Sequence, residues 1–122
     1  MFVKQAFESE NIMPHQQYQT SIDAAIHCAY ECEHCADECL GSMPECARLC
    51  RDCAQICWTI AGYMSRSSRF IPNVVRACID ICEACASECE KHDDPHCQNC
   101  AKACRQAVEE YRKISDIAAA RA

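Results

Sequence analysis

The chain has 122 residues, 15 of which are cysteine, and its formal net charge is −6 at pH 7. This length suits one domain, and the acidic balance, with a pI near 5.3, argues against nucleic acid or an anionic membrane as a partner. Because Ile, Val, Leu and Phe together number only 19, the cysteines must help to build the core, by packing, by disulfides or by binding metal.

The N-terminal stretch, MFVKQAFESENIMP, contains Glu8 and Glu10 and lacks the apolar segment of a secretory signal peptide. The sequence also has no apolar run of the roughly 20 residues that a transmembrane helix needs. We therefore expect a cytoplasmic protein, in which thiols are kept reduced and clustered cysteines more often bind metal or catalyse. The odd number of cysteines rules out a complete set of intrachain disulfides.

The first predicted helix spans residues 14–40 and carries the segment CAYECEHCADEC. Its cysteines stand at offsets 0, 4, 7 and 11 and are Cys28, Cys32, Cys35 and Cys39. At about 100° per residue, these offsets place the four thiols on one narrow stripe of an α-helix. On a β-strand the same offsets would distribute the thiols over both faces. The spacing therefore predicts a helix with one thiol-lined face.

The same cysteine spacing recurs along the rest of the chain, which indicates an internal repeat. Three further helices are predicted, over residues 43–65, 72–91 and 95–118, each with a proline near its start. The pattern C-x3-C-x2-C-x3-C is complete in the second and third helices, whereas Asp93 takes the first position of the fourth copy. The cysteines of these copies are Cys46, Cys50, Cys53, Cys57, Cys78, Cys82, Cys85, Cys89, Cys97, Cys100 and Cys104.

Short connections join the first helix to the second and the third to the fourth, so these neighbours should be antiparallel. The predicted fold is all-α, an up-down-up-down four-helix bundle that forms a single domain over residues 1–122. The cysteine stripes occupy the core positions that Leu or Ile usually take in a bundle.

Ordinary core packing, for which cysteine is used singly, does not explain 15 thiols in register. Pairs at i, i+3 and i, i+4 of one helix have poor Cβ geometry for disulfides. Structural zinc and iron–sulfur sites usually draw their ligands from loops, whereas every spacing here is helical. Two rival interpretations stay open: an iron–sulfur electron-transfer protein, and a zinc- or thiol-buffering structural bundle.

Cu(I) fits the stripes better, because it is a soft ion that selects thiolate ligands. Two or three thiolates suffice for one ion, and one thiolate can bridge two ions. A stripe of this span is about 17 Å long and can hold several ions along its length. Since no single thiol is set beside a base, as nucleophilic or redox catalysis requires, we expect storage or sequestration and no enzymatic activity.

Three complete copies of the cysteine pattern and a fourth that lacks its first cysteine, on four helices, resemble the bacterial copper storage proteins. The lack of an export signal makes the chain similar to the cytosolic branch of that family. The resemblance covers residues from about 20 to 115. It implies a homotetramer of four-helix bundles, each filled with many Cu(I) ions, that buffers copper and limits its toxicity. Copper ions and a copper chaperone are the partners it implies. Asp93, the departure from the pattern, removes one thiolate near one end of the bundle.

The antiparallel order predicts two different ends. One end carries Cys28, Cys57, Cys78 and Cys104, and beyond it we expect an apolar plug of Ile22, Ile60, Met64, Ile71, Val74, Val75, Val108 and Tyr111. The other end carries Cys39, Cys46, Cys89 and Cys97 together with the short connections. Since Met and His are plausible transient copper ligands, we expect copper to enter there, beside Met43, His92, His96 and Asp93.

Overall fold

The structure of the protein is a computed structural model that describes residues 14–121. A short 3-10 helix, Pro14–Tyr18, precedes four α-helices: α1 (Gln19–Cys39), α2 (Pro44–Ser65), α3 (Ile71–Cys89) and α4 (Pro95–Arg121). Over the described residues there is no β-strand, so the all-α prediction is confirmed. None of the helices in this range is both long and apolar enough to cross a membrane.

The four helices form a closed ring, in which α1 packs against α2 and α4, and α3 packs against the same two neighbours. Ion pairs on the outside show that α3 and α4 run in opposite directions, because Glu90 pairs with Arg105 and Glu83 with Arg112. The four-helix bundle inferred from the repeat is therefore the observed architecture.

The helix boundaries differ in part from those predicted. The first helix begins at Gln19 and not at residue 14, since residues 14–18 form the 3-10 helix. The third helix ends at Cys89 and not at residue 91, because the amides of Lys91 and His92 donate to carbonyls three residues back and tighten the turn. The fourth helix continues to Arg121, beyond the predicted residue 118.

The core consists largely of cysteine and alanine. All 15 cysteines have an exposed fraction of 0%. Small residues beside them, such as Ala54 and Ala86, are also buried. Because alanine carries no side chain beyond Cβ, the helices can approach closely enough for thiols from different helices to meet at the centre.

At the end nearer the α2–α3 connection, each stripe continues beyond the cysteines with the same residue spacing. The residues there are mostly apolar, and together we call them the plug. Its first layer, next to the thiols, is Ala25, Ile60, Val75 and Ala107, and its second layer is Ser21, Met64, Ile71 and Tyr111. All eight residues are buried. Five of the predicted plug residues, Ile60, Met64, Ile71, Val75 and Tyr111, lie in these layers. Ile22 and Val108 are buried but lie outside them, and Val74 is only half-buried.

Candidate metal centre

The thiols of the four helices meet along the axis of the bundle, and all of them are free. The shortest separations join different helices: the Sγ atoms of Cys53 and Cys82 are 3.2 Å apart, and those of Cys32 and Cys100 are 3.4 Å apart. These separations are longer than the roughly 2 Å of a disulfide. Soft donor atoms at such distances are arranged to share metal ions.

Fourteen of the fifteen thiols fall into five groups of four, within each of which all Sγ atoms lie within 4.8 Å of one another. We call the group next to the plug the inner group and the group at the opposite end the outer group. In order from the plug, the groups are Cys28, Cys53, Cys57 and Cys82 (inner); Cys28, Cys32, Cys53 and Cys104; Cys32, Cys85, Cys100 and Cys104; Cys35, Cys50, Cys89 and Cys100; and Cys35, Cys39, Cys46 and Cys97 (outer).

Neighbouring groups share cysteines, so the five groups form one continuous lining. The inner group shares Cys28 and Cys53 with the next, and Cys35 belongs to both the outer group and its neighbour. Further contacts cross the same steps, such as the 3.8 Å between the sulfurs of Cys85 and Cys50. A metal ion could therefore be passed from group to group without leaving sulfur ligands.

Cys78 is the one cysteine outside these groups. Its sequence position places it level with Cys57, yet its Sγ lies 3.9 Å from the backbone carbonyl oxygen of Ile56. Burial raises the pKa of the Cys78 thiol to about 12. The structure thus keeps Cys78 buried in the core but does not bring its thiol into the shared lining.

His96 is the predicted uptake residue that reaches the thiols. Its Nδ1 lies 3.5 Å from the sulfurs of both Cys35 and Cys97, and 4.0 Å from that of Cys39. Hydrogen bonding to Cys35 raises the pKa of His96, and nearby carboxylates add to the effect. With 14% of its side chain exposed, His96 connects the outer group with solvent.

The other predicted uptake residues are placed differently. His92 is held by Glu88, whose carboxylate lies 3.1 Å from the His92 ring nitrogen, and this contact lowers the pKa of Glu88. Asp93 is exposed in the α3–α4 turn. Met43 is half-buried and packs against the core. Of the four, only His96 has a described hydrogen-bonding contact with thiols.

The sequence interpretation missed a polar contact at the inner end. The hydroxyl of Tyr111 donates a hydrogen bond to the Sγ of Cys57, at 3.1 Å. The available signal was the spacing of Cys97, Cys104 and Tyr111, which stand seven residues apart on α4. This spacing predicts that Tyr111 continues the thiol stripe, but not that its hydroxyl turns towards the sulfurs.

Known proteins share both the sequence pattern and the fold. A family described as "Csp: Copper storage protein" matches residues 14–116. A Cu(I)-bound copper storage protein, BsCsp3, has 41% sequence identity and a TM-score of 0.78, covering 82% of this chain and 99% of that one. Apo-Csp3 from Bacillus subtilis has 43% identity and a TM-score of 0.77, covering 80% of this chain and 98% of that one.

A curated relative, the uncharacterized cysteine-rich protein YhjQ of Bacillus subtilis (strain 168), is 46% identical over 52 residues. These residues are 43% of this chain and 48% of the relative, so the chain spans about half the length of the curated relative that it matches. The family match, by contrast, runs through all four helices and includes every cysteine. The chain therefore belongs to the copper storage protein family.

Proposed function

We propose that this protein stores and sequesters Cu(I), holding several ions per chain on the thiolates of its core. The observation that carries the proposal is the continuous lining of five overlapping four-thiol groups. Its family supports the same function, and its structural relative BsCsp3 is known in a Cu(I)-bound form. Buffering of copper and protection from its toxicity follow from binding that is both tight and shielded from water.

The lining suits Cu(I) for two chemical reasons. Thiolates are the soft ligands that Cu(I) prefers, and the cysteines shared between groups, such as Cys28 and Cys35, are placed to bridge neighbouring ions. Each thiol that binds must release its proton, so filling of the core exchanges protons for copper. The cysteines are proposed as the ligands. His96 lies beside Cys35 and Cys97, but both thiols belong to the shared lining, which favours storage over catalysis.

We propose that copper enters at the outer group. His96 supports this step, because its imidazole contacts three thiols of that group while part of its side chain remains exposed. Met43, His92 and Asp93 lie at the same end, where they would guide ions towards His96. At the opposite end, the buried plug closes the core.

We also propose a cytoplasmic homotetramer that receives copper from a chaperone, with the whole chain acting as one domain. Exposed apolar side chains support the assembly: Ile26, Tyr30 and Trp58 expose 42%, 66% and 46% of their surface. Large apolar residues at such exposure are typical of subunit contacts. Sedimentation of the purified protein tests the tetramer, which a purely monomeric species would contradict.

An anaerobic Cu(I) titration of the reduced protein tests the function. Storage on bridged thiolates predicts a colourless complex that saturates at roughly one ion per thiol. Saturation at three or four ions with a preference for zinc would instead favour the structural zinc bundle. A brown protein with visible charge-transfer bands as purified would favour the iron–sulfur alternative. Family membership and the Cu(I)-bound relative favour copper over both alternatives.

A further inference from the structure

At the inner end of the thiol lining, the hydroxyl of the buried residue Tyr111 contacts a sulfur. Tyr111 has an exposed fraction of 0%, and its hydroxyl donates to the Sγ of Cys57 at 3.1 Å. Cys57 belongs to the inner group, and its sulfur lies 3.6 Å from that of Cys82. Buried donors normally have specific hydrogen-bond partners, and the partner of this phenol is a candidate copper ligand. The contact therefore links Tyr111 to the proposed metal site.

The plug is built so that the phenol can reach the thiols. By its position on α4, Tyr111 belongs to the second plug layer, and the first layer lies between that position and the sulfurs. Two of the four residues of that first layer are alanines, Ala25 and Ala107, which fill little space. The phenol therefore extends past the first layer, while Ile60 and Val75 close the remainder with apolar side chains.

We propose that Tyr111 sets the inner limit of the copper lining. Its hydroxyl hydrogen-bonds to the Cys57 thiolate, so that Cys57 holds the innermost ion and does not bridge to a further one. A hydrogen bond to a charged sulfur is stronger than one to a neutral group, and it occupies one of the sulfur's lone pairs. This inference rests on the proposed storage of Cu(I).

The position of Cys78 agrees with this limit. Cys78 stands level with Cys57 along the bundle, yet its thiol faces the Ile56 carbonyl and lies outside every group. If the lining included a further sulfur at the level of Cys57, Cys78 would be the one available. We therefore place Tyr111 as a positioning residue and leave Cys78 out of the ligand set, which then contains fourteen cysteines.

The substitution Tyr111→Phe removes the hydroxyl and keeps the ring. The matched control is Tyr63→Phe, because Tyr63 lies in α2 near the same end, half-buried beneath Arg66. Each reduced protein is loaded with Cu(I) under anaerobic conditions and then titrated with a competing Cu(I) chelator. In one part of the Tyr111→Phe curve, we expect the most tightly retained ions to be released at about one tenth of the chelator concentration that the wild type requires. The rest of that curve and the whole of the Tyr63→Phe curve should match the wild type.

A double-mutant cycle distinguishes positioning from a general effect on folding. In a Cys57→Ala background, Tyr111→Phe should no longer change copper retention, because its sulfur partner is gone. In a Cys78→Ala background the effect of Tyr111→Phe should persist. An equal effect in both backgrounds, or none in the wild type relative to Tyr63→Phe, overturns the inference.

The copper capacity of the cysteine variants tests the limit independently of Tyr111. Cys78→Ala should bind as many ions as the wild type, whereas Cys57→Ala should bind fewer or retain them less tightly. A loss of capacity in Cys78→Ala equal to that in Cys57→Ala contradicts the proposed limit. If the wild type itself binds no more than one or two Cu(I) ions, the proposed function fails, and this outcome is distinct from failure of the Tyr111 inference.

Discussion

At the scale of single residues, the thiols serve both as core and as ligands. A thiol packs as a small apolar group, which lets all 15 cysteines lie at 0% exposure without a partner charge. Burial raises the pKa values of Cys39, Cys46 and Cys97. Burial therefore favours the protonated form of these three thiols, and the binding of a cation makes it favourable for them to ionise.

This protonation predicts the pH dependence of copper binding. Because burial raises the pKa of the Cys39, Cys46 and Cys97 thiols above its ordinary value, these thiols of the outer group favour their protonated form in the acidic and neutral range. Protons compete with copper there, so the apparent affinity should fall as the pH falls, by up to about tenfold per pH unit for each displaced proton. Chelator competition at several pH values measures this slope. An affinity that is independent of pH would show that ionised thiolates are already present.

His96 leads to a prediction about the rate of loading. His96→Ala removes the ring that links the outer group to solvent, so copper uptake should slow several-fold while the number of ions bound at saturation stays the same. His27→Ala, at an exposed position on α1, is the control. Stopped-flow mixing with a Cu(I) complex gives the rate. If the two variants load equally fast, copper does not enter through His96.

At the scale of the helices, periodicity predicted the stripes, but the helix ends depended on local hydrogen bonding. The offsets within CAYECEHCADEC are enough to place four thiols on one face of α1. The end of α3 was less predictable, because the last turn tightens through contacts three residues back. The turn that follows holds Asp93, the position where the fourth cysteine copy is incomplete. As a result, the fourth copy lacks not only a cysteine at that position but also the helix that would direct it inwards.

Asp93 therefore provides a test at this scale. Asp93→Cys restores the full pattern in sequence, but residue 93 is exposed and precedes α4, which begins at Pro95. The number of Cu(I) ions bound should not rise, and the added thiol should react readily with a thiol reagent in the folded apo-protein. Cys97→Ala, which removes a member of the outer group, is the matched comparison and should weaken binding. A gain of capacity in Asp93→Cys would show that the lining extends into the turn.

At the scale of the whole molecule, copper should act as part of the core. The apo-protein has few large aliphatic side chains, and its stability depends on thiol and alanine packing together with the plug. An ion that binds the native lining but not the unfolded chain stabilises the fold by mass action. Storage and folding stability are thus linked in this bundle, since the same sulfurs provide both.

This linkage predicts a large difference between apo and loaded protein. Loading with Cu(I) should raise the midpoint of thermal unfolding, because a free ligand at about 100 times its Kd adds about 2.7 kcal/mol for a single site and several sites add further. A strong Cu(I) chelator should return the midpoint to the apo value. Circular dichroism during heating, under anaerobic conditions, follows both steps. Equal midpoints for the two forms would mean that the ions bind outside the buried lining.

The sequence by itself determined the helices, the thiol stripes and the two different ends of the bundle, because side-chain direction along a helix depends only on spacing. Only the tertiary structure decided which thiols meet, since that depends on how the four helices are rotated against one another. Cys78 and His96 illustrate the difference. Cys78 has the correct spacing but turns to a backbone carbonyl, whereas His96 lies outside the rhythm, next to Cys97, and still contacts three thiols. Side-chain rotation and helix packing determine where these two side chains lie, and neither can be read from residue spacing in the sequence.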